Sequence, residues 1–215
     1  MINLQLSPDR LSIRAASETD DDWAADLIFS AGPGLFSYVF ATKPEGAKGI
    51  LREAFSSPGH AFSYEYTSVL EVDDRPAGLL LGYPGHTKRK AEEHIQGLMA
   101  HIIPLSRVPR ILVNLADLSR IKQDVENDSF YILSVCILPK FQSQGLGSAL
   151  LRDTEYLARQ LGCDRLCLDV TYSNPRAKAL FSRMGYELMC SKTSHRFEQM
   201  TDSGGLHRME KVLKR

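Results

Sequence analysis

The chain has no segment typical of a membrane protein, and it has no excess of charge of either sign. It contains no run of about 18 or more apolar residues, the length needed for a bilayer-spanning helix, and no signal-peptide pattern. Lysine plus arginine number 26, as do aspartate plus glutamate, so the formal net charge is zero. Without a basic excess there is no broad field for nucleic acid or an anionic membrane surface. We therefore expect neither as a partner.

Paired cysteines and clustered metal ligands are also missing. The four cysteines, at positions 136, 163, 167 and 190, form no C-x-x-C pair and stand in apolar surroundings. This predicts reduced, buried thiols in a cytoplasmic protein. His94 and His101 are seven residues apart on a predicted helix, and no HExxH pattern accompanies them, so we expect no metal site.

The most informative stretch, residues 129–162, has the pattern of a strand, a glycine-bearing loop and a helix. Residues 130–138 form a near-continuous apolar run that predicts a strand covered on both faces and ended by Pro139. Helical spacing follows, with Gly162 as the stop, at Leu146, Ala149, Leu150, Leu157 and Leu161. Unpaired N–H groups at the helix start, with glycines at 145 and 147, predict a phosphate site.

Three kinds of phosphate loop compete for residues 142–147. The Walker loop fails because no Lys-Ser/Thr follows the second glycine. The dinucleotide fingerprint is closer, since Gly145 and Gly147 fit G-x-G and Asp169 lies at a suitable distance downstream. However, Leu150 occupies the third glycine position, and six residues separate the strand from Gly145 where a tight turn is needed.

The third kind resembles the pyrophosphate loop of the GCN5-related N-acetyltransferase (GNAT) superfamily. That loop reads Gln/Arg-x-x-Gly-x-Gly/Ala, and Gln142, Gly145 and Gly147 match it. A second family motif, N-x-x-A-x-x-Φ-Y/F-x-x-x-G-F/Y, matches residues 174–186 at its usual spacing. Two motifs in order, about thirty residues apart, make the resemblance specific. It covers roughly residues 68 to 215, apart from one insertion.

The resemblance implies an α/β fold with a mixed, largely antiparallel central sheet. One parallel strand pair is expected to splay apart, helices should cover both faces, and a helical insertion should lie between strands three and four. We expect a single acetyltransferase domain over residues 1–215, with residues 84–128 as the insertion. The implied reaction is direct attack of an amine on the thioester of acetyl-CoA, the cosubstrate. The alternative is an acetyl-CoA sensor or assembly domain without turnover, and a homodimer is possible in either case.

The same resemblance implies the site residues. A backbone N–H near Cys136 or Ile137 would stabilise the carbonyl oxygen, and Ile137 is our choice. Phe181 stands where the family often has the tyrosine that protonates the leaving thiolate, so we predict Tyr172, just past strand five, as its substitute. The predicted coenzyme-binding residues are Val135, Cys136, Ile137, Gln142, Ser143, Gln144, Gly145, Leu146, Gly147, Ser148, Asn174 and Phe181.

In the N-terminal half, the sequence first predicts a strand at 11–14. Helices are predicted at 20–30 and 44–55, with a Gly-Pro-Gly break at 32–34 between them. Two strands, at 68–72 and 77–83, are predicted to follow and to be joined by a turn at 73–76. The aromatics of residues 35–40 are either core or a wall of the acceptor site. The insertion has two stripes of apolar residues at helical spacing, and they predict a helical hairpin over one edge of the acceptor cleft. The second stripe comprises Ile111, Leu112, Leu115, Leu118, Ile121 and Val125. Lys88-Arg89-Lys90 is either a solvated face or a contact for the coenzyme 3′-phosphate.

The C-terminal part predicts a strand at 165–170, a helix at 176–184 capped by Asn174, and an antiparallel pair at 187–191 and 206–213. A polar, glycine-containing loop is expected between the last two strands. Their exposure in the family fold is one reason to expect a dimer.

Overall fold

The sheet has seven strands in the order β1-β2-β3-β4-β5-β7-β6, and every neighbouring pair is antiparallel except β4 and β5. A computed structural model describes residues 10–213, without the side chains at 89, 92 and 94–100. The strands are β1 Leu11–Ala15, β2 Thr67–Val72, β3 Arg75–Pro84, β4 Ser129–Ile137, β5 Arg165–Thr171, β6 Glu187–Lys192 and β7 Leu206–Val212. The predicted mixed, largely antiparallel sheet is confirmed.

Eight α-helices cover the two faces of this sheet in the described part of the chain. They are α1 Asp21–Ser30, α2 Pro33–Val39, α3 Pro44–Ser56, α4 Gly85–Ile102, α5 Val108–Ile121, α6 Leu146–Gln160, α7 Pro175–Arg183 and α8 His195–Met200. Residues of α6 and α7 form one apolar core with the sheet, and residues of α1, α2 and α3 form another on the opposite face. Helices α4 and α5 are the predicted insertion between β3 and β4. Over residues 10–213, no helix is long and apolar enough to span a bilayer.

The hairpin between β2 and β3 turns on two residues instead of the predicted four. Asp73 and Asp74 have φ angles of 51° and 57°, the left-handed pair that a type I′ turn requires, and β3 begins directly after them. Pro76 therefore lies inside the strand, opposite Glu71. The register shifts between Leu70 and Glu71, and such an irregularity tolerates a residue without a backbone N–H.

Two short helices were absent from the sequence-based prediction. Pro33, which we expected to end a helix, occupies the first turn of α2, where its fixed φ is suited and its missing N–H leaves no bond unmade. The predicted polar loop between β6 and β7 contains α8. Ser194 caps that helix by accepting a hydrogen bond from the Phe197 N–H at 3.1 Å.

The predicted apolar stripe of α5 is wrong in part. Leu112 and Leu115 are 61% and 43% exposed, whereas Asn114 and Asp117 are buried. The two polar residues face inward because each finds hydrogen-bond partners there, as described below. The first stripe of the insertion falls largely on residues 94–100, whose side chains lie outside the described part.

The stripe of α6 is also corrected at its C-terminal end. Leu157 and Leu161 are 37% and 46% exposed, and the buried positions beyond Leu150 are Leu151, Thr154, Glu155 and Ala158. The Thr154 hydroxyl is satisfied by the Leu150 carbonyl at 2.8 Å, so this polar side chain can face the core without an unmet hydrogen bond.

The cysteines are free thiols. Cys136, Cys163 and Cys167 are buried as predicted, while Cys190 on β6 is half-buried. Burial raises the pKa of Cys136 to about 11 and that of Cys167 to about 12, so both stay protonated at neutral pH. Neither thiol therefore has the thiolate character of a nucleophile.

A buried arginine joins the end of the insertion to the sheet. Arg208 on β7 is 2% exposed and holds Asp169 on β5 through two hydrogen bonds of 2.8 and 3.0 Å. Its remaining N–H groups donate to the carbonyls of Gln123 and Asp124 at 2.9 and 3.1 Å. The Tyr131 hydroxyl also donates to Asp169, at 3.0 Å. The return segment after α5 is thereby fixed beneath β4 and β5.

A second polar network joins α5 to α2 and α8. The Asp117 carboxylate accepts hydrogen bonds from the Tyr38 hydroxyl of α2 and from the Ser194 hydroxyl that caps α8, both at 2.8 Å. Asn114 donates to the Tyr38 carbonyl at 2.6 Å and accepts from Arg196 at 2.8 Å. The insertion thus bridges two helices that are far apart in sequence. Its predicted position over an acceptor cleft stays a prediction.

At the other edge of the sheet, Arg14 on β1 holds Asp20 just before α1. The two guanidinium–carboxylate distances are 2.8 and 2.9 Å, and Glu71 on β2 accepts from the same guanidinium at 2.8 Å. Asp20 also accepts from the Ser17 backbone N–H at 2.9 Å. Its partnership with Arg14 outweighs burial and lowers the pKa of Asp20 from 3.8 to about 2.

We expect Asp20→Asn to lower the unfolding free energy by about 2 kcal/mol at pH 7, the energy equivalent of that pKa difference. Because the folded-state pKa is depressed, this stabilisation is complete above the unfolded-state pKa and is lost as the pH falls from about 4 to about 2. Urea unfolding of both proteins at pH 7 and at pH 3 measures it. A difference that did not shrink at the lower pH would contradict the assignment.

Candidate active site

The parallel strands β4 and β5 separate after four paired positions. They pair from Ser129 with Arg165 to Ile132 with Leu168, yet both strands continue, β4 along β3 and β5 along β7. A gap therefore opens between residues 133–137 of β4 and residues 169–171 of β5. This confirms the predicted splayed pair.

Alternation along β4 determines which backbone groups face this gap. The Leu138 N–H donates to the Ala77 carbonyl at 2.8 Å, so these opposite residues form a hydrogen-bonded pair with β3. Hydrogen-bonded pairs recur at every second residue of an antiparallel ladder, which commits Cys136 to β3 as well. The N–H groups of Val135 and Ile137 then point away from β3 and into the gap. Of the two N–H groups predicted for the carbonyl oxygen, Ile137 has the suitable direction and Cys136 does not.

The loop after β4 is held against that strand by its first residue. The Gln142 side chain donates to the Ile137 carbonyl at 3.0 Å, which also shows that this carbonyl faces away from β3. Ser143 and Gly145 have φ angles of 64° and 83°, and such a backbone favours glycine. The Gln144 side chain folds back to the Lys140 carbonyl at 3.3 Å.

Helix α6 begins directly after this loop and no side chain caps it. Gly145 is its N-cap, and no hydrogen bond from a capping side chain is made. Leu146 is buried in the core, and the Ser148 N–H turns back to the Gly145 carbonyl at 3.0 Å. A Cβ atom on Gly147 would lie 3.2 Å from Leu180 of α7, so the first turn of α6 approaches α7 closely. The resulting arrangement of N–H groups suits an anion.

Arg176 is a residue of this site that sequence reasoning missed. From the first turn of α7 its guanidinium donates to the Ser143 hydroxyl at 2.8 Å and to the Gln142 side-chain oxygen at 3.2 Å. It places a positive charge beside the loop. One sequence feature could have identified it: Arg176 is in the second motif, two residues after Asn174. The fold brings this helix start next to the loop.

Asn174 and Phe181 lie at the two ends of α7. Asn174 accepts a hydrogen bond from the Ala177 N–H at 3.1 Å, which confirms it as the predicted cap. Phe181 is 4% exposed and packs in the core against Tyr186, with ring centroids 5.7 Å apart. Their predicted contacts with a coenzyme stay predictions.

Tyr172 follows β5 and packs toward β7. Its ring packs against the His207 ring with centroids 4.3 Å apart and an angle of 32° between the planes, and its N–H donates to the Gly205 carbonyl at 3.0 Å. His207 in turn lies 2.7 Å from the Ser191 hydroxyl and 3.4 Å from the Lys178 ammonium. Burial and the charge of Lys178 lower the pKa of His207, which favours a neutral imidazole. The role of Tyr172 as a proton donor stays a prediction.

The basic segment of the insertion lies at the wrong end of β4 for the coenzyme loop. Lys88 and Lys90 are in the first turns of α4, which starts where β3 ends, beside the beginning of β4. The loop follows the other end of β4, nine residues and about 30 Å away. Both lysines therefore lie far from the loop that is expected to hold the coenzyme phosphates, and Lys90 is exposed. The side chains of Arg89 and His94 are outside the described part.

Several solved structures have a fold similar to that of this chain. The fold is similar to the crystal structure of an acetyltransferase, with a TM-score of 0.66 and 21% identity over 94% of this chain and 100% of that one. It is also similar to an N-acetyltransferase from Staphylococcus aureus Mu50 (TM-score 0.69, 16% identity, 93% and 100% covered). A third is the ribosomal-protein-S18-alanine N-acetyltransferase from Escherichia coli (TM-score 0.53, 15% identity, 95% and 95% covered).

A search of curated proteins finds no match to this chain. A sequence model does match, that of the acetyltransferase (GNAT) family, over residues 36–186. The matched region starts in α2, earlier than the motifs had indicated, and ends at the last residue of the second motif. It includes the insertion, the gap between β4 and β5, the glycine loop and α7. The chain therefore belongs to the acetyltransferase (GNAT) family.

Proposed function

We propose that the protein transfers the acetyl group of acetyl-CoA to an amine by direct attack on the thioester. One observation carries the proposal: the gap between β4 and β5 opens beside a left-handed glycine loop at an uncapped helix start. The first feature offers unpaired strand backbone to an extended chain, and the second offers N–H groups to a pyrophosphate. The coenzyme of acetyl transfer has both parts.

In this proposal residues 142–148 hold the pyrophosphate and Arg176 adds the positive charge. The pantetheine arm enters the gap and pairs with the backbone of Val135 and Ile137, as a strand would. Cys136 lies between these two residues but offers the arm no hydrogen bond, since its backbone groups pair with β3 and its thiol is buried 3.3 Å from the Ser134 hydroxyl. Phe181 forms an apolar wall behind the arm.

The chemistry needs three contributions. The Ile137 N–H stabilises the negative charge that develops on the carbonyl oxygen, and one such donor is worth about 3–4 kcal/mol in other enzymes. The amine must lose a proton, which for a lysine-like group at pH 7 costs about 4.6 kcal/mol. The leaving thiolate has a pKa near 8.5, about that of a free thiol, so it leaves tolerably even before protonation.

A turnover screen tests the proposal. Acetyl-CoA is supplied with representatives of each amine class, namely small amines, aminoglycosides, peptide N-termini and lysine peptides, while free thiol is monitored. We expect amine-dependent thiol release with at least one class. Phe181 lacks the hydroxyl that could protonate the thiolate, and this favours a second candidate function, an acetyl-CoA sensor without turnover. Tight binding of acetyl-CoA with no turnover on the whole amine panel would support that second function.

We expect Arg176→Gln to weaken acetyl-CoA binding about ten-fold, the usual value of one charge-assisted contact. The substitution removes the charge and the two hydrogen bonds that orient Gln142 and Ser143. The matched control is Arg183→Gln, an exposed arginine near the other end of the same helix. Calorimetric titration measures both. Equal affinities of the two variants for acetyl-CoA would show that Arg176 does not contribute to coenzyme binding.

We expect Tyr172→Phe to lower kcat ten-fold or more, within the roughly 10²–10⁴ range of general acid catalysis when no water replaces the group. Coenzyme affinity should barely change, because only a hydroxyl is lost. Introducing Phe181→Tyr into this variant should restore part of the rate. If kcat is the same as in the parent protein across the pH range, Tyr172 has no part in proton transfer.

A cytoplasmic location and a homodimer also stay proposals. The free, buried thiols support the first. The second rests on β6, an edge strand whose Leu188 and Met189 are 48% and 57% exposed. Light scattering at several concentrations tests the dimer, and a monomeric mass throughout would exclude it.

A further inference from the structure

A pocket of about 320 Å³ lies away from the glycine loop, between α2, the start of α3, the first half of α5 and the end of α8. This volume is within the range of small-molecule sites. The insertion contributes one wall, so the pocket is a feature of this chain and not of the strand pair. None of the residues assigned above to the coenzyme or to proton transfer lines it.

The charge of the pocket has one sign. Lys43 and Arg110 line it, and no carboxylate does. Both cations are exposed, and among the described side chains neither is in an ion pair. By contrast, Lys48 and Arg52 on α3, the helix that begins just after Lys43, pair with Asp26 and Asp22. Two unneutralised cations facing one small cavity produce a local positive potential in a chain of zero net charge.

Two buried, hydrogen-bonded side chains form part of the pocket lining. Tyr38 and Asn114 line it and are 4% and 1% exposed. The Tyr38 hydroxyl and the Asn114 amide are held in the network with Asp117 and Arg196. These two side chains are therefore held in place by the protein itself. The remaining polar groups of the lining are the two cations and the hydroxyls of Ser37 and Thr42.

We propose that this pocket binds a small molecule that carries a carboxylate or phosphate group. Lys43 and Arg110 pair with the anion, and the hydroxyls of Ser37 and Thr42 donate to its oxygens. Ala41 and Met200 provide an apolar wall for the carbon part of the ligand. No residue of the pocket belongs to the coenzyme loop or to the gap, so this anion site is separate from the proposed coenzyme site.

The test uses inorganic phosphate and succinate as separate probes on the full chain, without acetyl-CoA, at constant ionic strength. Binding is followed by calorimetry or by NMR shifts. We expect saturable binding of at least one probe. In the double variant Lys43→Gln with Arg110→Gln, affinity should fall by about ten-fold or more, since each lost charge-assisted contact is worth several-fold. Binding of phosphate alone or of succinate alone identifies the anionic group.

The matched control is Arg183→Gln with Lys192→Gln, which removes the same two charges from exposed positions on α7 and β6. Its affinity should equal that of the parent. A third variant, Ser37→Phe, fills the cavity without changing charge and should also abolish binding. Phosphate bound equally well by the pocket double variant would lie at the glycine loop and would overturn the proposal. So would the absence of saturation by either probe up to about 10 mM.

Discussion

Replacing Gly147 by valine is expected to abolish acetyl-CoA binding while the protein stays folded. Gly147 is in the first turn of α6, next to the uncapped N–H groups proposed to hold the pyrophosphate. A Cβ atom there already lies 3.2 Å from the Leu180 Cδ2 atom, so the branches of valine are directed against α7 or into the anion site. The Leu180 side chain can yield, but a bound phosphate cannot. We expect affinity to fall at least about 100-fold, equivalent to about 2.7 kcal/mol.

The matched control is Gly49→Val in α3. That glycine is also helical, and a Cβ atom on it would meet nothing within 4 Å. The two substitutions have similar effects on helix propensity, so their unfolding free energies in urea should agree within about 1 kcal/mol. Titration calorimetry then separates the site from the fold. Unchanged acetyl-CoA affinity in Gly147→Val would refute the loop assignment.

Replacing Arg208 by methionine is expected to lower the unfolding free energy by about 3–5 kcal/mol, which is the usual effect of removing one partner of a buried ion pair. The Asp169 side chain is 9% exposed and would be left as a buried charge with only the Tyr131 hydroxyl as partner. The carbonyls of Gln123 and Asp124 would also lose their donors. Both effects act at the junction of the insertion and the sheet.

Arg10→Met is the control, because Arg10 pairs with Asp73 at a site where both side chains are 51% exposed. Solvent screens that exposed pair, so breaking it should leave the unfolding free energy nearly unchanged. A second variant, Arg208→Met with Asp169→Leu, removes the stranded charge and should recover much of the loss. Urea unfolding at neutral pH measures all three. A loss below about 1 kcal/mol in Arg208→Met would show that the pair is unimportant for stability.

The features predicted correctly from sequence are those fixed by neighbouring residues. The loop at Gly145 needs a positive φ, Pro139 ends β4, and Asn174 caps the helix three residues before its hydrogen-bond donor. In each case the cause and the consequence lie within a few residues of one another. The parallel pairing of strands four and five followed from the resemblance and was confirmed by the pairing of β4 with β5.

The features missed depend on partners far away in the chain. Apolar periodicity placed Leu112 and Leu115 inside, but Asn114 and Asp117 are buried because Tyr38, 76 and 79 residues away, supplies hydrogen-bonding groups to both. No local pattern contains that information. Arg176 was missed for the same reason, since its partners in the loop lie 33 and 34 residues earlier.

The Asp117 carboxylate has a consequence for motion. One oxygen of this group accepts from both Tyr38 and Ser194, so moving α2 away from α5, or unwinding the start of α8, leaves a still-buried carboxylate short of a hydrogen bond. This cost opposes the separate opening of any one of the three helices. We therefore expect α2, α5 and α8 to open together, with their backbone amides exchanging with solvent at similar rates.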